Sequence, residues 1–262
     1  MDSLKIIGLM LTWNNLEFFR CVVEQALEFC DELILVEGCH SMQYPKHSDD
    51  GTVAFIQSIK NRPKLKIMDF IRNNRYDYVQ KVIRHTYPKQ SHYYMLGNWV
   101  FHWDDDLFFM SEDLEKLRAM MQHSREDSLD LLERQFFYNF KFNIHKRMSP
   151  VCYRITDRLN LSGVSNAHYR SGRHYSVSRP DDITAFHYSH VKKAERMKRR
   201  FVLSAEKGTP GTIEERFGAW NDFKWDKDED ILKSGKFSIY DGEHPEVLDN
   251  HPWRYIEDVR NK

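Results

Sequence analysis

Between residues 5 and 110 the chain alternates two hydrophobic periods, and that alternation admits few architectures. "KIIGLMLT" is a continuous apolar run, the pattern of a strand covered on both faces. Leu16, Phe19, Val23, Ala26, Leu27 and Cys30 then recur at helical spacing. "ELILVE" reads as a second strand, "TVAFIQSI" as a short helix and "LKIMDF" as a third strand. "YDYVQKVIRHTY" has a helical pattern, and "NWVFHW" closes the series as a fourth strand. Strands alternating with helices predict an α/β fold, an open and mostly parallel sheet with helices on both faces.

Beyond the fourth strand, Ser111 reads as a helix N-cap, with Glu112 and Asp113 in the first turn and Leu114, Leu117, Met120 and Met121 as the buried stripe. From about residue 130 the pattern turns irregular. "ERQFFYNFKFNIHKRM" has the composition of a long strand, and "KKAERMKRRFVLSAEKG" reads as a basic helix ending at Gly208. There is neither an internal repeat nor a low-complexity linker, so residues 1–262 are expected to form one domain. Its first half would be 1–125, and 126–262 an elaborated second half with C-terminal helices.

Lys+Arg and Asp+Glu both number 39, so no net charge points to nucleic acid or another polyanion. Aromatic residues make up 14% and histidines number 13, a composition suited to a polar cleft with stacking surfaces. Cys21, Cys30, Cys39 and Cys152 lack CxxC spacing, which predicts free thiols. No window reaches the 18 or so apolar residues of a membrane span, and the N-terminus lacks a signal-peptide pattern. A cytoplasmic protein is the expectation.

In an open parallel sheet, ligands bind at the carboxyl ends of the strands. Those ends carry Thr12-Trp13-Asn14, then Glu37-Gly38, then Asp104-Asp105-Asp106 within "HWDDDLFF". So much negative charge beside a buried strand needs a metal ion, a basic side chain or solvent. GxGxxG and GxxxxGK[ST] are both missing, so a phosphorylated ligand would be held in another way. A divalent cation on Asp104 and Asp106 is one such way, because Mg²⁺ or Mn²⁺ completes its shell with phosphate oxygens and water.

The order of these elements resembles the GT-A glycosyltransferases, most closely the family 2 type. The resemblance rests on "LMLTWNN", Glu37 in "LVEG", "SDDGT" from Ser48 to Thr52, the aspartates of "DDDLFF", and the later segments "FHYSHVK" and "YDGEHPEV". It implies a metal-dependent transfer of a sugar from a nucleoside diphosphate to an acceptor hydroxyl, with inversion. The first half would bind the nucleotide-sugar and the second the acceptor. By the same resemblance Thr12, Asn14, Glu37, Gln80, Arg84, Asp104 and Asp105 would contact the donor. Asp104, Asp106 and His187 would hold Mn²⁺ or Mg²⁺.

Each assignment has a plainer counterpart. The triplet could be a solvated loop, Glu37 a strand-end cap, His187 a core histidine with His190 competing for its role, and Gln80 and Arg84 a solvated helix face. The run Lys192 to Arg200 is either a solvated helix or a neutraliser of the leaving diphosphate or of an anionic acceptor. Among Glu133, Asp157, Asp181 and Asp182, Glu133 is the chosen general base, against a surface salt-bridge role. Phe136, Tyr138, Tyr153, Asn166, His168 and Tyr169 are expected to meet a carbohydrate acceptor. A nucleotidyltransferase and a non-catalytic nucleotide-sugar-binding module are the alternative functions.

Overall fold

The computed structural model describes residues 4–39, 41, 43–69, 97–147, 152–155, 159–160, 168–169, 177–206, 212–223 and 237–261. Three of the expected strands are β1 (Ile6–Thr12), β2 (Glu32–Glu37) and β3 (Leu65–Asp69), and the fourth is β4 (Trp99–His102). They pair in parallel in the order β3-β2-β1-β4. Helices α1 (Leu16–Phe29) and α2 (Thr52–Ile59) fall where the periodicity puts them, and the expected helix over "YDYVQKVIRHTY" lies outside the described residues. Gly8 permits α1 to end close to β1, since a Cβ there would sit 2.8 Å from Cys30 Sγ and 2.9 Å from Leu33 Cδ1.

The first sheet continues beyond β4 through β6 (Ser128–Leu129), β9 (Cys152–Arg154) and β12 (Val177–Ser178), in the order β12-β6-β9-β4. Only β9 opposes its neighbours, so the sheet is mostly parallel. The fold is mixed α/β.

A second sheet was not anticipated. It comprises β5 (Leu107–Phe108), β7 (Leu132–Phe137), β8 (Phe142–Arg147), β13 (Thr184–His190) and β14 (Ser238–Ile239), in the order β14-β8-β7-β13-β5. The expected long strand over 133–148 is instead the β7–β8 hairpin. Tyr138 takes a left-handed φ of 66°, and Asn139 Oδ1 accepts from the amides of Lys141 and Phe142, which closes the turn. A separate short pair joins β10 (Leu159–Asn160) to β11 (His168–Tyr169).

Helix α3 (Ser111–His123) follows β5, but its N-cap is Met110. Ser111 is the first helical residue, and its hydroxyl reaches Glu246 at 3.1 Å. The basic run forms α4 (Ala194–Glu206). A further helix, α5 (Ile213–Asn221), starts at a capping box between Thr212 and Glu215.

One buried cluster runs from Ile6 on β1 to Val259 near the C-terminus and includes residues of both sheets. Phe18 of α1 lies at its centre, stacked on Tyr188 at 5.4 Å and on His251 at 4.4 Å. Two histidines of the C-terminal segment are held neutral there. Burial, aided by Arg254 and Arg134, pushes His244 down to about 3, and its Nδ1 accepts from the Tyr188 hydroxyl. Burial likewise pushes His251 down to about 4, although donation from its Nε2 to the Glu17 carbonyl opposes this.

Both folded values lie below the ordinary histidine value of about 6.5, so this stability is complete above about pH 6.5 and is lost as pH falls toward 4 and then 3. A tenfold change in proton affinity corresponds to about 1.4 kcal/mol, so several kcal/mol are at stake. Urea unfolding of the wild type is expected to weaken across this window, and His244→Asn to give a shallower slope. Identical slopes for the two proteins would refute the assignment.

Candidate functional site

The strand order β3-β2-β1-β4 reverses direction between β1 and β4, and a crevice opens at the carboxyl ends of strands at such a point. Beyond β4 the chain crosses Asp104-Asp105-Asp106 and enters the second sheet as β5. The triplet therefore bridges the two sheets. Backbone pairing fixes its end: β5 is antiparallel to β13, with His187 opposite Leu107, and the Tyr188 amide donates to the Asp106 carbonyl at 3.0 Å.

The three aspartates meet different surroundings. Asp104 is exposed. Asp105 accepts from Thr12 Oγ1 at 2.8 Å, and burial together with neighbouring Asp106 raises its carboxyl to about 6, against the pull of Lys192 and Thr12. Asp106 is buried, 2% exposed. Its Oδ2 lies 2.8 Å from Lys192 Nζ and 3.6 Å from Arg200, and its Oδ1 lies 3.0 Å from His187 Nε2. Burial opposes its charge, but Lys192 and His187 outweigh burial and hold the carboxyl well below the usual carboxylate range. Of the three partners considered for the triplet, Asp106 meets basic side chains and Asp104 meets solvent.

The opposite wall is cationic. Arg196 and Arg200, four residues apart, share one face of α4, and Lys192 stands just before the helix. With Arg199 they line a cleft completed by Trp13, Asn14, Asn15, Asp105, Asp106 and Leu203. One face of the run thus lines the cleft, while Glu195 and Lys198 are exposed. Lys192 is only 5% exposed, and burial lowers its pKa against the opposing effect of Asp106. Arg196 pairs with Glu17 and lies 3.8 Å from Asp50, while Arg199 lies 3.5 Å from Asp49.

Asn15 ties the walls together, a role that the sequence pattern did not single out. It occupies the N-cap position of α1, yet its side chain makes no capping bond. Its Nδ2 donates to the Asp105 carbonyl at 3.0 Å, and its Oδ1 accepts from Lys192 at 2.9 Å and Arg196 at 3.1 Å. An asparagine directly after "TWN" was the available signal. Trp13 Nε1 and Asn14 Nδ2 are buried with no hydrogen-bond partner among the described residues.

Of the residues expected to contact a donor, Asn14 and Asp105 line the cleft, and Thr12 and Glu37 are buried behind it. Glu37 Oε1 accepts from the amide and hydroxyl of Ser48 at 2.8 and 2.7 Å, and its Oε2 meets His47 at 2.7 Å. Asn14, at a left-handed φ of 50°, donates its amide to Ser48 Oγ and accepts from the Asp49 amide. Asp50 accepts from the Leu16 amide, so "SDDGT" is clasped to the start of α1. Gln80, Arg84, Asp157 and Asn166 lie outside the described residues, as do the side chains of His168 and Tyr169.

In the second sheet, His187 is 7% exposed and Glu133 3%. His187 Nδ1 bonds Glu133 Oε1, and Lys146 lies 3.3 Å from the other Glu133 oxygen. Burial opposes the His187 charge, but Asp106 and Glu133 raise its pKa to about 10. The opposite face of the same strands is core: Phe136 stacks on Tyr188 at 4.7 Å. Phe136, Tyr138 and Tyr153 are 0%, 2% and 4% exposed, so these three complete the interior and do not face an acceptor. Strand alternation explains Phe136: Glu133 and Gln135 share one face, and Phe136 takes the other.

Among the described residues, no group of three or more His, Cys, Asp or Glu side chains forms a preassembled metal site. The donor set still suits a cation that a ligand completes. His187 Nε2 lies 3.0 Å from Asp106 Oδ1, the roughly 3 Å between adjacent ligands of an octahedral ion with bonds of about 2.1 Å, while Asp104 at 3.8 Å would have to move closer and Asp106 Oδ2 is held by Lys192 at 2.8 Å.

No family model matches the chain, and no curated protein does. Among described helices none is long and apolar enough to cross a membrane. Solved structures similar to the chain include S. aureus TarS residues 1–349, at 14% identity and a TM-score of 0.44, covering 82% of this chain and 68% of that one. A second structure of S. aureus TarS matches at 13% identity and a TM-score of 0.45, covering 82% of this chain and 41% of that one. Scores this low leave the functional argument to the chain's own residues.

Proposed function

We propose that the chain is a glycosyltransferase of GT-A type, moving a sugar from a nucleoside-diphosphate sugar to an acceptor hydroxyl. The observation that carries this reading is the cleft itself, at the switch point of a parallel sheet, with Lys192, Arg196, Arg199 and Arg200 facing Asp105 and Asp106. A diphosphate is the ligand chemistry such a wall suits, because fixed cations stabilise the charge that develops as the sugar departs. Asn15 holds two of those cations in place, so they need not reorganise during the reaction.

Asp104, Asp106 and His187 are the residues that would hold Mn²⁺ or Mg²⁺. When bound, the ion adds charge neutralisation on the leaving diphosphate. Thr12, Asn14 and Glu37 shape the floor of the donor site, and Glu37 does so through the Ser48 loop.

The test is incubation with a panel of sugar nucleotides, Mn²⁺ and mixed carbohydrate acceptors, followed by detection of released nucleoside diphosphate. Release that grows with an acceptor is the expected result. Pyrophosphate instead of nucleoside diphosphate would show a nucleotidyltransferase, and donor binding with no turnover would show a binding module.

A further inference from the structure

We infer that Glu133 is a positioning residue: it orients His187 toward the cation site and does not accept a proton from the acceptor. The inference rests on the metal-assisted reading above and assigns Glu133 a different task from the general base expected of it.

A general base needs an open carboxylate oxygen within hydrogen-bond reach of the acceptor hydroxyl. Neither Glu133 oxygen is open. One meets His187 Nδ1, the other lies 3.3 Å from Lys146, and the residue is 3% exposed in the body of β7. The sheet dictates this arrangement. Strand β7 runs parallel to β13, with Glu133 opposite Ala185 and Gln135 opposite His187. It runs antiparallel to β8, where Glu133 faces Lys146 directly. Gln135 Nε2 donates to Ser189 Oγ at 2.7 Å on the same face and pins the two strands in register.

The order of groups is then Glu133, His187, Asp106. With Nδ1–H donated to Glu133, Nε2 faces the gap shared with Asp106 at 3.0 Å and Asp104 at 3.8 Å, and a cation bound there would take the place of the Nε2 proton. A carboxylate behind a histidine in this way fixes the tautomer and ring orientation and raises ligand basicity. Removing such a partner weakens metal affinity by about 10- to 100-fold.

The experiment titrates Mn²⁺ into the full chain by electron paramagnetic resonance, for wild type, Glu133→Gln, Glu133→Leu and His187→Ala, with transfer measured at saturating Mn²⁺. Gln keeps the acceptor oxygen without the charge, and Leu removes both. Dissociation constants are expected to rise in the order wild type, Gln, Leu, with the Leu variant about 10- to 100-fold weaker and kcat at saturating Mn²⁺ largely restored in the Gln variant. Nitrogen-resolved NMR of His187 should show the Nδ1–H signal in wild type and its loss in the Leu variant. Should Glu133→Leu fail to fold, Glu133→Gln alone decides. A Gln variant with wild-type Mn²⁺ affinity and kcat collapsed at saturation would overturn the inference and return Glu133 to the role of base. Wild type that binds no Mn²⁺ and transfers fully under chelator would overturn the metal reading, and the inference with it, while leaving the transferase reading intact.

Discussion

Asp106→Asn is expected to lower sugar transfer by about 1,000-fold or more at saturating donor and Mn²⁺. The substitution keeps the shape of a residue that is 2% exposed but removes the one charge shared by His187, Lys192 and Arg200. The proposed metal ligand and an electrostatic anchor are lost together, and single oxyanion-stabilising groups alone are worth about 100- to 1,000-fold. Excess chelator acting on the wild type should produce a loss of similar size. Near-UV circular dichroism checks that the fold persists, since the backbone bond from the Tyr188 amide to the Asp106 carbonyl survives the change. Activity within tenfold of wild type would remove Asp106 from the mechanism.

That Asp106 is the residue to change was half legible in the sequence. Local pattern locates the aspartates, because an acidic triplet after a continuous apolar strand is visible at any point along the chain. What faces it is not local. Lys192 lies 86 residues beyond Asp106, and the two meet only because β13 pairs with both β5 and β7 and ends beside the start of α4. The basic run was visible, but a solvated helix and an anion site have the same composition.

The same limit hid the second sheet. Residues 133–147 alternate without a glycine or proline to mark a turn, so one long strand and a hairpin look alike. Tyr138 at a positive φ makes the turn, held by Asn139, and only an unusual backbone conformation reveals it. The first four strands posed no such problem, since buried parallel strands announce themselves as unbroken apolar runs. Asn15 failed as a signal for the opposite reason. An asparagine before a helix ordinarily caps it, and here the side chain is diverted into the cleft.

Lys192→Met should have the second largest effect, on both stability and rate. The ammonium is 5% exposed and bonds Asp106 at 2.8 Å and Asn15 at 2.9 Å. Removing one partner of a buried pair costs about 3–5 kcal/mol when the other is left uncompensated. Asp106 keeps His187 and, at 3.6 Å, Arg200, so a smaller loss of about 2–3 kcal/mol is expected in urea unfolding. Transfer should fall about 100- to 1,000-fold, as for loss of one fixed group that stabilises the departing charge. The double variant Asp106→Asn, Lys192→Met separates the two effects. With neither charge left unpaired it should be more stable than Lys192→Met alone, yet no more active, because stability needs only neutrality whereas transfer needs both charges. A double variant whose stability loss equals the sum of the single losses would mean that the ion pair couples nothing, and Lys192 would then contribute to stability through its bond to Asn15 and its ammonium over the Phe18 ring, 5.5 Å away.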